Sequence, residues 1–119
     1  MKILVVDDNP SIVKMLEKFL TIKGHDCTVS QDGNNAFEIM KKEKFDVVLL
    51  DLAMPNFSGY DIIDKLEKIK KISEQNIIIL TASAITQEQT DSLLKRGVKA
   101  CLKKPVSPDI LLKIISSPN

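Results

Sequence analysis

Asp46-Val47-Val48-Leu49-Leu50-Asp51 is a run of four apolar residues closed at both ends by aspartate. A strand with one wet face alternates apolar and polar residues. A run without alternation suits a strand buried on both faces, as in a parallel sheet covered by helices. The pattern recurs on both sides of this stretch. Ile3-Leu4-Val5-Val6 stops at Asp7, and Ile77-Ile78-Ile79-Leu80 stops at Thr81. Residues 27–29 and 98–102 are weaker strand candidates.

Between these runs lie helical periods. Ile12, Met15, Leu16, Phe19 and Leu20 repeat at the spacing of one helix face, with Gly24 beyond them as a C-terminal cap. Residues 34–42 form a second helix that buries Ala36, Phe37 and Met40. Residues 60–70 form a third behind Ser58 as N-cap, with Ile62, Ile63, Leu66 and Ile69 inward. Residues 86–96 form a polar fourth helix with chiefly Leu93 and Leu94 inward, stopped by Gly97. Residues 107–115 form a fifth, capped by Ser107, with Pro108 in its first turn and Ile110, Leu111, Ile114 and Ile115 apolar. Five βα units in succession predict a doubly wound, three-layer α/β sandwich on a five-stranded parallel sheet. No linker or repeat interrupts them, so residues 1–119 read as one domain with 116–119 as a short tail. The opening Met1 reads as a natural N-terminus, and a stand-alone chain or a piece of a longer protein both fit.

Composition narrows the function. Of 119 residues 44% are hydrophobic and 28% charged, which suits a globular domain rather than a disordered chain. Seventeen Lys and Arg against 16 Asp and Glu leave +1, too little bulk charge for a strongly basic nucleic-acid or membrane-surface binder. The lysines at 65, 68, 70 and 71, interleaved with Glu67, read as a solvated helix end, and no helix-turn-helix fits beside the five units. Neither direct nucleic-acid binding nor a membrane partner is therefore expected. The longest apolar runs fall far short of the ~20 residues that cross a bilayer. Cys27 and Cys101 are too far apart in sequence for a close-spaced metal or redox motif, and a reduced cytoplasmic setting is the expected one. The single histidine, His25, falls in a turn and reads as exposed.

In a doubly wound sheet, binding groups gather beyond the carboxyl ends of the strands. Here those ends carry Asp7 and Asp8, then Asp51, then Thr81, then Lys103, Lys104 and Pro105. Taken singly, each has an ordinary explanation as a turn residue, a helix cap or a surface lysine. Their joint placement at one end of successive strands is harder to explain that way. Three converging carboxylates repel unless a cation joins them. A cluster with oxygen donors and no Cys or His suits a hard ion, Mg²⁺ before Zn²⁺. A cation, a lysine, a hydroxyl and a carboxylate together make a site for a phosphoryl group, with aspartate able to form an acyl phosphate.

The sequence resembles the receiver domains of two-component response regulators over essentially its whole length. The resemblance is carried by Val5-Val6-Asp7-Asp8, by Asp51-Leu52-Ala53-Met54-Pro55 with Gly59, by Leu80-Thr81-Ala82 and by Lys104-Pro105, in that order. It implies a flavodoxin-like sheet of order 2-1-3-4-5. It implies that Asp51 accepts a phosphoryl group from a histidine kinase or phosphotransfer protein. It implies Mg²⁺ held by Asp8, Asp51 and the Ala53 carbonyl, with Asp7 acting through water. Lys104 would pair with the phosphoryl oxygens, Thr81 would bond them and carry the switch, and the Lys104-Pro105 peptide would be cis.

One departure from the family is Cys101, where receivers usually carry Tyr or Phe on the fifth strand. All five aromatics, Phe19, Phe37, Phe45, Phe57 and Tyr60, lie in the first 60 residues. The face of the fourth helix, fifth strand and fifth helix, the usual output or homodimer surface, has none. A relay through the backbone of residues 81–86 and the fourth helix is the expectation. Two other functions compete. A receiver that binds partners without phosphorylation would have lost an acid or the lysine, and none is lost. An aspartate-nucleophile phosphatase would carry a second acid two residues after Asp51, where this chain has Ala53. A self-phosphorylating signalling domain, not an enzyme acting on other substrates, is the expected function.

Overall fold

The computed structural model describes residues 1–54, 57–72, 75–81 and 85–116. Strands and helices alternate as β1 (Lys2–Val6), α1 (Pro10–Ile22), β2 (Asp26–Ser30), α2 (Gly33–Lys42), β3 (Val47–Asp51), α3 (Gly59–Lys68), β4 (Ile77–Thr81), α4 (Gln87–Lys95), β5 (Ala100–Lys103) and α5 (Pro108–Ser116). The sheet is parallel, in the order β2-β1-β3-β4-β5. Ser116 belongs to α5 rather than to a tail, and 117–119 lie outside the described residues.

The unbroken apolar runs are explained by the two faces they serve. Leu4, Val6, Val48, Leu50, Ile77 and Ile79 point to one side, into a core closed by α2, α3 and Leu93 of α4. Their neighbours Ile3, Val5, Val47, Leu49, Ile78 and Leu80 point to the other, against α1 and α5. The period of two along a strand sends successive side chains to opposite cores, so no position is left for a polar residue until the strand ends.

Helix faces depart from the periodic reading at several places. On α1 the stripe against the sheet is Val13, Leu16 and Leu20, whereas Met15 is 53% exposed and Ile12 and Phe19 are only partly covered. The apolar arc of α1 is wider than its contact with the sheet. Its surplus lines a groove of about 520 Å³ shared with Leu80, Pro105, Val106 and Leu111. On α4 only Leu93 is buried and Leu94 is exposed, because successive residues lie about 100° apart on a helix and one faces away. Ile110 of α5 is exposed by the same rule, with Leu111 and Ile115 inward. Ile69 is exposed because α3 stops before it and the chain turns at Lys70, φ 58°. His25 is half-buried rather than exposed, with its Nδ1 3.2 Å from the terminal amine, and burial with that amine lowers its pKa.

The cap expected at Ser58 is present. Ser58 and Asp61 exchange bonds at the start of α3: Ser58 Oγ accepts from the Asp61 N–H, and Asp61 Oδ2 accepts from the Ser58 N–H. Ser58→Ala is expected to lower stability by about 1 kcal/mol, read as a lower urea midpoint at unchanged slope. Cys27 and Cys101 sit as free thiols on the two edge strands, β2 and β5.

Candidate functional site

Strand register brings the site together. Val6 pairs with Leu50 and Asp51 with Leu80, so Asp7 and Asp51 emerge side by side at the carboxyl edge of β1 and β3. Thr81 ends β4 beside Lys103, and the Lys104 N–H donates to the Thr81 carbonyl at 2.8 Å. That alternation leaves Lys103 exposed and turns Lys104 inward. The Lys104-Pro105 peptide is cis. Asp7, Asp51 and Thr81 are buried, and Asp8 is exposed at the rim.

Carboxylate oxygens of Asp7, Asp8 and Asp51 all lie within 4.8 Å of one another. Asp7 Oδ1 accepts from the Asn9 N–H at 2.9 Å, and its Oδ2 accepts from Lys104 Nζ. Asp51 Oδ1 accepts from the Ala53 N–H at 3.1 Å, while its Oδ2 stands 3.7 Å from Lys104 Nζ. Burial pushes the Asp51 carboxyl above the ordinary carboxylate range. The Ala53 N–H and Lys104 work against that rise, and Asp7 and Asp8 add to it. Three carboxylates beside one ammonium leave a local excess of negative charge that a cation would relieve. The donor set contains no sulfur and no imidazole, which fits a hard divalent ion. Asp7, Asp8, Asp51 and Lys104 are therefore one cluster, and Thr81 stands at the end of the neighbouring strand β4. Pro55 and Ala82 of the quoted motifs, and residues 82–84 of the expected relay, lie outside the described residues.

One support was not read from the sequence, and a second, Gly59, was quoted there only as part of a motif. Asn9 caps α1, its Oδ1 accepting from the N–H groups of Ser11 (2.9 Å) and Ile12 (3.3 Å), while its own N–H holds Asp7. The Asn9-Pro10 pair, an N-cap residue followed by proline, was the available signal. Gly59, the first residue of α3, packs directly against the end of β3: a Cβ there would come within 2.6 Å of the Asp51 carbonyl oxygen.

Residues 3–116 match the response regulator receiver domain family. The chain is a response regulator receiver domain. It is a phosphoacceptor of two-component signalling, with an acidic pocket of Asp7, Asp8 and Asp51. The receiver is 32% identical to protein PilH of Pseudomonas aeruginosa over 118 residues, 98% of this chain and 95% of that protein. It is 33% identical over 116 residues to the sensor histidine kinase RcsC of Salmonella typhimurium, covering 98% of this chain but 12% of that protein. Against the first of its curated relatives, a probable transcriptional regulator ycf29 of Porphyra purpurea, the receiver spans about half the length, 54%. Among solved structures it superimposes on the Francisella response regulator 1452 receiver domain with TM-score 0.86 at 31% identity, covering 96% and 92% of the two chains. It also matches a Burkholderia pseudomallei response regulator with a phosphorylated aspartic acid, calcium ion and citrate, with TM-score 0.83 at 25% identity, covering 98% and 66%. Among the receiver's described residues, no helix is long and apolar enough to cross a membrane.

Proposed function

We propose that Asp51 is the phosphoacceptor of this receiver, that Mg²⁺ is its cofactor, and that a histidine kinase or a phosphotransfer protein is its donor. The observation that carries this reading is the cluster itself: a buried aspartate at a strand end, facing one lysine and two further acids. Asp8, Asp51 and the Ala53 carbonyl would hold the ion, with Asp7 assisting through water. When bound, the ion supplies positive charge for the acids and for the oxygens of an incoming phosphoryl group.

The chain's own groups do the rest. An Asp51 oxygen forms the new bond to phosphorus while the phosphorus–nitrogen bond of a phosphohistidine breaks, its electron pair leaving with the imidazole. The Ala53 N–H keeps Asp51 Oδ1 aimed while Oδ2 faces Lys104. Lys104, paired with Asp7 here, lies close enough to Asp51 to meet the phosphoryl oxygens. The Thr81 hydroxyl supplies a donor from the neighbouring strand end. Ala53 offers no acid two residues beyond Asp51, which favours a domain that phosphorylates itself over a phosphatase acting on other substrates. We assign the output to the face of α4, β5 and α5, where Leu94 and Ile110 stand exposed and Cys101 replaces an aromatic.

Intact mass after incubation with acetyl phosphate tests the reading. With Mg²⁺ the chain is expected to gain one phosphoryl group, and with excess EDTA none. No gain under either condition overturns it.

A further inference from the structure

We propose that Gly33 is a positioning residue for the phosphoryl site: the missing side chain lets the backbone of Phe57 seat on the first turn of α2, and this fixes the loop that carries Ala53. The inference rests on the assignment of the Ala53 carbonyl as a metal ligand.

Gly33 opens α2 and is buried. A Cβ built on it would overlap the Phe57 carbonyl oxygen, and would come within 2.8 Å of the Phe57 ring at Cδ1 and 3.2 Å of its carbonyl carbon. Gly33 is not among the residues of positive φ, so space and not backbone conformation requires glycine here. The overlapping atoms belong mostly to main chain, which cannot swing aside as the end of a flexible side chain can. Any larger residue must therefore displace either α2 or the loop. α2 is anchored by Ala36, Phe37 and Met40 in the core, so the loop is the part that gives.

That loop starts at the phosphoacceptor and returns to it. Leu52 and Ala53 follow Asp51 directly, and the Gly59 N–H donates back to the Leu52 carbonyl at 3.2 Å. The return leaves no room for a side chain at Gly59 either. Between these ends, Met54 is buried in the core, and the other described hold is at Phe57. Its ring lies between Gly33 on one helix and Lys65 on the next, with Nζ 5.3 Å from the ring centroid. Ser58, the next residue, is tied into α3 by its reciprocal cap. A displaced Phe57 therefore pulls on Ser58 and Gly59, whose N–H holds the Leu52 carbonyl. That carbonyl shares one peptide unit with the Ala53 N–H that fixes Asp51 Oδ1, so the shift reaches Ala53 and the metal position.

The test is a Mg²⁺ titration followed by NMR, with phosphorylation by acetyl phosphate as the second readout. Gly33→Ala is expected to weaken Mg²⁺ binding ~10-fold, as loss of a supporting contact around a metal typically does. The Mg²⁺ concentration for half-maximal labelling should rise by the same factor, with little change in the labelling rate at saturating Mg²⁺. Met40→Ala, which removes a buried side chain near the far end of the same helix, should lower the melting temperature and leave Mg²⁺ affinity unchanged. A folded Gly33→Ala with wild-type Mg²⁺ affinity overturns the inference. So does an equal loss of affinity in both variants, which would mark a general effect of stability. If Gly33→Ala does not fold, Phe57→Gly carries the test: weaker Mg²⁺ binding supports the seat, and unchanged binding overturns it. If the wild-type chain binds no Mg²⁺, the assignment of the site itself fails and this inference falls with it.

Discussion

Asp51→Asn is expected to remove the phosphodonor-dependent mass gain altogether while leaving a folded chain that is more stable than wild type at pH 7 without metal. The first half follows from the geometry. Asp7 is committed to Lys104 and to the Asn9 N–H, and Asp8 lies at the exposed rim. Asp51 is buried with one oxygen fixed by the Ala53 N–H and the other 3.7 Å from Lys104, beyond hydrogen-bonding distance. The second half follows from charge. Burial, aided by Asp7 and Asp8, raises the Asp51 pKa above that of an unfolded aspartate. An acid raised in this way costs the fold nothing below its unfolded value, about 3.9. The cost enters as pH climbs from there through the folded pKa, because only the unfolded chain ionises freely. At pH 7 in EDTA the amide variant should melt a few degrees higher, the size of shift that about 1 kcal/mol produces in a domain of this length. Near pH 4 the two should melt together. Mg²⁺ should narrow the gap at pH 7 by stabilising the wild type more. Labelling of Asp51→Asn at the wild-type level would move the phosphoacceptor elsewhere. A wild type that is the more stable protein at pH 7 in EDTA would contradict the crowding of charge.

Lys104→Met is expected to be the most damaging single substitution at the site. It keeps most of the aliphatic stem that lines the groove beside Pro105 and Val106 but deletes the cation. Asp7 then holds a buried negative charge with the Asn9 N–H as its remaining donor among the described contacts, facing two more carboxylates. Removing one partner of a buried ion pair typically costs about 3–5 kcal/mol. The urea midpoint in EDTA should fall accordingly. Mg²⁺ should restore a large part of the loss, since the ion brings positive charge to the same oxygens, and lower pH should restore part by protonating the acids. Equal midpoints for variant and wild type in EDTA would show that Lys104 does not compensate the cluster.

Much of this site was legible because a parallel strand advertises its own end. The first polar residue after four apolar ones sits at the carboxyl edge of the sheet, so Asp7, Asp51 and Thr81 could be placed there from sequence alone. Choosing Lys104 over Lys103 needed the family resemblance, and the structure supplies the physical reason in the side-chain alternation at the end of β5, which leaves Lys103 exposed and turns Lys104 inward. Adjacent apolar pairs were not resolved. Met15 and Leu16, or Leu93 and Leu94, are equally apolar, and which one faces the core depends on how the helix is rolled by its neighbours. Contacts between distant segments were also invisible. Arg96, the only arginine, forks onto Glu67 at 2.9 and 3.0 Å and also pairs with Asp64, tying the end of α4 to α3. The Glu67 pKa is lowered by that bond, and nothing local in the sequence of α4 signals the pairing. Gly33 was passed over because its role is to be absent from a space that another loop fills.

The pairing of Lys104 with Asp7 joins residues 97 positions apart. During synthesis the first acid leaves the ribosome almost a whole domain before the lysine that neutralises it. A nascent chain that ends before β5 has the acids but not their counter-charge, and β4 remains an open edge. Signalling competence is therefore acquired late, when the last strand docks, and fragments released before that point should be unable to intercept phosphoryl groups meant for the finished protein.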